Sequence, residues 1–345
     1  MIQTDSRELA TAETATKPYA GNPIRRVLDA IGVQNISLII ALVLLCAIIG
    51  SQNSNFFLIS NVKTIGTTVA IVGILAVVQT VVMLLGGLDI SVGSAAGLTS
   101  VISAMVFMSA KSAALGIAVA LVVGVAVGLL NGIVIVYGRV NAVIATLATY
   151  AGLRGLANLI SNGRAQGYTG TDSTFTFLAR GSLGGIPILV WVLIIIALAV
   201  HLMLRYTDIG RNIFAIGGNP TAARLAGINL NRYVVGCYVL VGLVAAVAGV
   251  LLTARTGSGQ PTSGSQGLEL QSITAAALGG VALQGGKGGI SGTVLAVILL
   301  GVLQNGLTIL GVNSFWQDIA QGALLIVAVV IQQRRRGVRA YGLPR

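Results

Sequence analysis

Charge is what this sequence lacks. Only 9% of its 345 residues are Asp, Glu, Lys or Arg, against about a quarter in a typical soluble domain. So few charges cannot cover a water-facing surface of ordinary polarity, and lipid is the natural solvent for such a chain. Acids are scarcest, at nine against 21 basic residues, and Asp89 is the only one between Asp29 and Asp172. The sole histidine, His201, cannot build a metal site alone and reads as a polar tip near the end of an apolar run. The two cysteines, Cys46 and Cys237, are far apart, each within an apolar run and outside any CxxC pattern. They read as small core hydrophobes rather than a disulfide or metal pair. No pairing of carboxylates, Ser with His, or Cys with His suggests catalysis. Neither a cofactor nor a metal is therefore expected in this chain.

What is present is apolar. Hydrophobic residues make up 55% and mean hydropathy is +0.92. The 46 glycines suit a membrane bundle, where small residues let helix backbones approach closely. A net charge of +12 would fit a nucleic-acid binder. The Lys and Arg residues, however, sit in short connections between apolar runs, which is the pattern of a topology signal. The partner so indicated is the lipid bilayer, not nucleic acid.

Residues 1–32 are polar and carry Asp5, Arg7, Glu8, Glu13, Lys17, Arg25 and Arg26 before any apolar run, so they read as a cytoplasmic tail and not as a cleaved signal. Ten runs approach the roughly 20 apolar residues that a spanning helix needs. They are 33–50, 62–84, 92–110, 113–137, 141–161, 186–204, 233–254, 270–284, 290–311 and 315–333. The eighth is short for a full span and is expected to be tilted, broken or extended by its neighbours. The expected architecture is an all-α integral membrane protein with a single permease-type domain over 33–333. A basic cytoplasmic tail follows at 334–345. Ten spans put both termini on one side. With the termini inside, 15 of the 21 basic residues are cytoplasmic, leaving Lys63, Lys111, Arg154, Arg164, Arg180 and Arg255 outside. The positive-inside rule favours that orientation. It makes 162–185 and 255–269 the larger external loops and 205–232 the largest internal cytoplasmic one.

Loop 205–232 reads RYTDIGRNIFAIGGNPTAARLAGINLNR. Asn219 suits a helix N-cap, Pro220 the first helical position, and Gly227 a left-handed C-terminal stop. The spacing predicts a helix of about two turns that presents Arg224 and Leu225. Such a helix either links two spans or docks into another protein.

Asp89, flanked by Gly86 and Gly87, invites two readings. Its carboxylate either caps the next helix through the Ser91 and Val92 amides or serves as a gating group at membrane depth. Gly285, Gly286, Lys287, Gly288 and Gly289 resemble a phosphate loop but fail on spacing. Val281 stands where a glycine is required, with Ala282 beside it, and Gly288 follows Lys287 where Ser or Thr is required. A tight cytoplasmic turn is expected instead. Neutral polar residues inside spans are candidates for the path of a polyol, which needs hydrogen bonds but no counter-charge. They are Gln79, Asn131, Thr146, Thr149, Asn158, Gln304 and Asn305, with Asp89 added as the acid; the same groups could equally link helices.

Three stretches carry a resemblance. GRNIFAIGGNPTAARLAGINL resembles the cytoplasmic coupling loop of ATP-binding-cassette (ABC) importer permeases of the ribose and monosaccharide class. LLGGLDISVGSAAGL at 84–98 is similar to that family's segment after its second span, and AAALGGVALQGGKGGISGTVLAVILLGVLQNGL at 275–307 to its C-terminal glycine-rich segment. The resemblance covers about 33–333. It implies a non-catalytic permease subunit in a bacterial cytoplasmic membrane, moving a monosaccharide, ribose first. It also implies three partners: cytoplasmic ABC ATPase subunits that hold ATP and Mg, an extracytoplasmic sugar-binding protein, and a second permease copy. The coupling role would fall to Gly210, Arg211, Gly217, Gly218, Asn219, Pro220, Ala222, Ala223, Arg224, Leu225 and Gly227. The competing readings are an ion-coupled secondary transporter, which would place acids at broken helices in mid-membrane, and a channel. Within the ABC class, another pentose or hexose, a polyol or an amino acid remains open.

Overall fold

The computed structural model describes residues 33–336 apart from position 168. The tail at 1–32 and the end of the basic tail, 337–345, lie outside the described residues. All ten apolar runs are helical, in whole or in part. In chain order they are α1 (Val33–Gln52), α2 (Ile59–Leu84), α3 (Val92–Ala110), α4 (Ala113–Val136) and α5 (Ala142–Ser161). After these come α7 (Ile188–Tyr206), α10 (Leu230–Thr256), α11 (Leu268–Leu278), α12 (Ile290–Ile309) and α13 (Ser314–Arg336). Among the described residues, eight helices are long and apolar enough to cross a membrane, and the 11-residue α11 is not one of them.

The core is a stack of α2, α3 and α10, the helices whose apolar windows are most enclosed. α2 is apolar nearly all round, as expected of a helix surrounded by others. Glycine sets the closest contact. Gly116, Gly124, Gly128 and Gly132 fall four residues apart on α4, with Ala120 between, and form one ridge. A methyl at Gly124 would run into the Gly242 carbonyl of α10, and one at Gly128 into the Tyr238 carbonyl. Gly249 meets Thr99 and Ala96 of α3 in the same way. Hydroxyls tie the stack further: Thr253 shares hydrogen bonds with Ser100 at 2.8 Å and Ser103 at 3.0 Å.

Two loops differ from the sequence-based expectation, and the eighth run takes one of the forms expected of it, a short and broken helix. Residues 257–267 are largely irregular and lead into the half-helix α11, which stops at Gly279. Ten glycines over 257–289 make this possible, Gly257, Gly264, Gly267 and Gly280 among them at positive φ. Loop 162–185 is not irregular throughout. Asp172 accepts from the Thr174 and Phe175 amides at 2.8 and 3.1 Å and caps a helix, α6 (Ser173–Arg180). This helix seats Phe175 edge-on against Phe107, and a two-residue hairpin, β1 (Ser182–Leu183) with β2 (Ile186–Pro187), follows it. Loop 205–232 holds two helices where one was expected, α8 (Asp208–Gly218) and α9 (Pro220–Leu225).

The connections sort to two ends. At one, Gln166 pairs with Gly259 through both backbone groups, at 2.9 and 2.8 Å, which joins 162–185 to 257–267. At the other, the Gly286 amide donates to the Leu84 carbonyl at 2.8 Å. Gly217 lies against both of those residues. The 85–91 turn, the 205–232 loop and the 279–289 turn therefore share one end of the bundle.

Candidate functional site

The 205–232 loop is built from its caps. Thr207 accepts from the Gly210 amide and starts α8, whose Ile213 and Ile216 are buried. Asn219 closes α8 and opens α9, accepting from the Ala222 amide at 3.0 Å, and Pro220 fills the first helical position. Gly227, at φ +84°, ends the element, with its amide on the Arg224 carbonyl at 3.0 Å and the Ile228 amide on Ala223 at 3.1 Å. Ala223 faces inward, whereas Ala222, Arg224 and Leu225 face out, Leu225 at 85% exposure. Leu225 thus stands open to its surroundings on a short helix capped at both ends.

The same loop is fastened inward largely through close backbone contacts. Gly210 packs against Leu204, and a methyl at Gly217 would collide with the Leu84 carbonyl. Gly218 abuts Gly286. Asn212 bonds the Tyr233 hydroxyl, tying α8 to the start of α10. Arg211 pairs with Asp208 on the exposed face of α8. Loop 205–232 is therefore in direct contact with the end of α2 and with the 279–289 turn. That turn is a tight one: the Ala282 amide bonds the Lys287 carbonyl at 2.8 Å, and Gly285, Gly286 and Gly288 have positive φ.

The polar residues of the spans do not form one file. Gln79, Asp89, Asn131 and Thr146 converge on the 85–91 turn. Asp89 is 2% exposed, and its Oδ1 accepts from the Ser91 amide at 2.8 Å and the Ser91 hydroxyl at 2.6 Å. The carboxylate thus holds Ser91 at the head of α3, as one of the two readings proposed. No bond from the Val92 amide completes the pattern. Asn131 Nδ2 donates to Ser91 Oγ at 2.9 Å. With its nitrogen toward the Asp89 carbonyl, the Gln79 amide donates at 3.2 Å and accepts from the Asp89 amide at 3.1 Å. Burial pushes the Asp89 carboxyl up to about 6, against the opposing pull of its Ser91 bonds.

The others are scattered. Thr149 bonds a carbonyl of its own helix, at 3.1 Å. Asn158 accepts from Thr262 at 3.3 Å. Asn305 and Asn61 exchange two amide bonds, at 2.9 and 3.1 Å. Gln304 alone opens onto a cavity, between α2, α11, α12 and α13.

Two charged residues were not among the site candidates. Glu269, counted from the sequence in an external loop, is 5% exposed in the first turn of α11. One of its oxygens takes the Gly267 amide at 3.2 Å, and the other, packed on Gly93, has no hydrogen bond. Arg154 lies along α5 with its guanidinium 5.3 Å from the Tyr150 ring, and its Nε and Nη2 are buried without partners. Neither position was legible in advance, because both follow from the break in the eighth segment and from the way α5 leans on α3.

Comparison with known proteins gives one consistent result. Residues 61–329 match the family described as branched-chain amino acid transport system / permease component. The ribose import permease protein of Escherichia coli K12 is 40% identical over 300 residues, 86% of this chain and 93% of that protein. The ribose import permease protein of Bacillus subtilis 168 is 37% identical over 303 residues, 88% of this chain and 94% of that one. The L-arabinose ABC transporter permease protein of Azospirillum brasilense is 38% identical over 279 residues, 81% of each. No solved structure matches significantly.

Proposed function

This chain belongs to the family described as branched-chain amino acid transport system / permease component, and from that premise we propose that it carries a monosaccharide, ribose first, through the cytoplasmic membrane. It is a multi-pass membrane protein and the permease subunit of a sugar ABC importer. The observation that carries this reading is the 40% identity to a ribose permease over 93% of that protein's length. The geometry agrees with it: a rigid, capped helix stands out from the bundle on a loop whose other face grips α2.

The finer parts of the proposal concern assembly. Cytoplasmic ATPase subunits bind ATP and Mg and seat α9. Their closure moves loop 205–232 as a rigid body, and the Gly217–Leu84 and Gly218–Gly286 contacts pass that motion to α2 and the α11–α12 turn. An external binding protein delivers the sugar, and a second copy completes the pore. Both termini and loop 205–232 face the cytoplasm, for the charge reason given above, and the ten apolar segments all belong to the membrane domain.

An ion-coupled transporter is the second reading. Glu269 at the start of a broken segment is the feature that class would show, so the scarcity of acids does not dispose of it; family membership does. Reconstitution separates the two. The chain, an ATPase and a binding protein in vesicles should accumulate labelled ribose only when ATP is present. The chain alone should neither hydrolyse ATP nor accumulate sugar. Gradient-driven uptake by the chain alone would overturn the ABC reading.

A further inference from the structure

We propose that the cavity between the end of α4, the end of α9 and the start of α10 binds the phosphate headgroup of an anionic phospholipid. The cavity measures about 790 Å³, within the range usual for small-molecule sites. Its cations are Arg139, from the connection after α4, and Arg224, from α9. Tyr137 and Asn231 add polar groups, and no acid is among its lining residues.

The positive charge of this cavity is uncompensated. Neither the Arg139 nor the Arg224 guanidinium has a hydrogen bond or an ion pair among the described residues. Asp208, the one acid of loop 205–232, is taken by Arg211. Asn229 accepts from the Arg232 amide at 3.3 Å. That leaves the Leu230 and Asn231 amides, at the positive end of the 27-residue α10, open to the cavity. Two guanidiniums beside free amides suit a phosphate, which takes the parallel N–H groups of an arginine through two oxygens.

Its level in the bundle makes the anion a lipid. α4 has 24 residues and rises about 36 Å at 1.5 Å per residue, more than the roughly 30 Å of a hydrocarbon core. Its end at Val136, which lines the cavity, therefore reaches the headgroups. Tyr137, 69% exposed there, takes the interfacial place usual for tyrosine. Val122, Leu129 and Ile133 are exposed too. They stand seven and four residues apart, so they share one face of α4 and lead along it to Tyr137. An acyl chain can lie on that face while its phosphate enters the cavity. A free phosphate would leave the face unused, and so would a carboxylate of a soluble partner.

The test uses the full chain in detergent, offered equal amounts of phosphatidylglycerol and phosphatidylcholine, with retained lipid counted by native mass spectrometry. The wild type should keep phosphatidylglycerol in preference. Arg139→Gln should lower that retention about fivefold, the effect of one basic side chain at an anionic membrane surface, and Arg139→Lys should keep most of it. Ile133→Gln, which leaves every charge in place, should lower it as well. Equal retention of the two lipids, or unchanged retention in Arg139→Gln, overturns the proposal. If excess inorganic phosphate strips the lipid and Ile133→Gln behaves as wild type, the cavity is a site for free phosphate and the lipid is rejected. If Arg139→Gln keeps its lipid but no longer co-purifies with the ATPase, the cavity takes an acidic side chain of that partner instead.

Discussion

Asp89 is held by what it holds. One carboxylate oxygen takes both the amide and the hydroxyl of Ser91, and Ser91 in turn receives Asn131. Asparagine offers the same oxygen, so Asp89→Asn should retain most transport. Asp89→Ala strands two buried donors at about 1–3 kcal/mol each and should loosen the start of α3. Uptake and thermal stability of both variants decide the matter. Loss of transport in Asp89→Asn at unchanged stability would make the charge itself functional, as in the gating reading. The carboxylate's attachment to Ser91 was legible in the LLGGLDIS spacing. The Gln79 and Asn131 contacts were not, since 10 and 42 residues of chain separate them from Asp89.

At the scale of the element, α9 was legible almost residue by residue, because caps are local: Asn219, Pro220 and Gly227 each act on backbone within a few positions. Gly227→Val meets no neighbour, as a methyl there has open space, but its φ of +84° is costly for a β-branched side chain, by about 1–3 kcal/mol. Transport should fall and ATPase co-purification with it, while Gly227→Asn, which tolerates that region, stays near wild type. Gly217→Ala should be as damaging by a different route. Its methyl is driven into the Leu84 carbonyl, so the loop separates from α2. ATPase retention with lost uptake would identify that variant. Equal uptake in wild type and Gly217→Ala would remove the Gly217–Leu84 contact from the coupling route. Neither α8 nor this contact was legible, because glycine-to-carbonyl packing between residues 84 and 217 leaves no periodic signature.

For the whole molecule, orientation is the property that charge decides and packing does not. Arg180→Cys, at the end of α6, should label from outside intact cells, and Thr221→Cys, in α9, only after the membrane is opened. The reverse pattern would invert the topology, and with it the placement of the basic cavity and of α9. Relative sidedness is independent of that result. Gly286 on Leu84 and Gln166 on Gly259 already place the connections in two sets at opposite ends.

By itself the sequence determined the solvent, the apolar segments and the capped helix α9, because each depends on composition or on interactions a few residues long. Its motifs also carried the family, which the relatives then bore out. Only the tertiary structure decided which helices lie at the centre, that the helix of the eighth segment stops at Gly279, and that Glu269 is enclosed. The same holds for the meeting of Arg139 and Arg224 at one cavity. The reason is physical. A helix can be read from neighbours along the chain, but a cavity is defined by residues from separate helices whose distances are set by where glycine lets backbones touch.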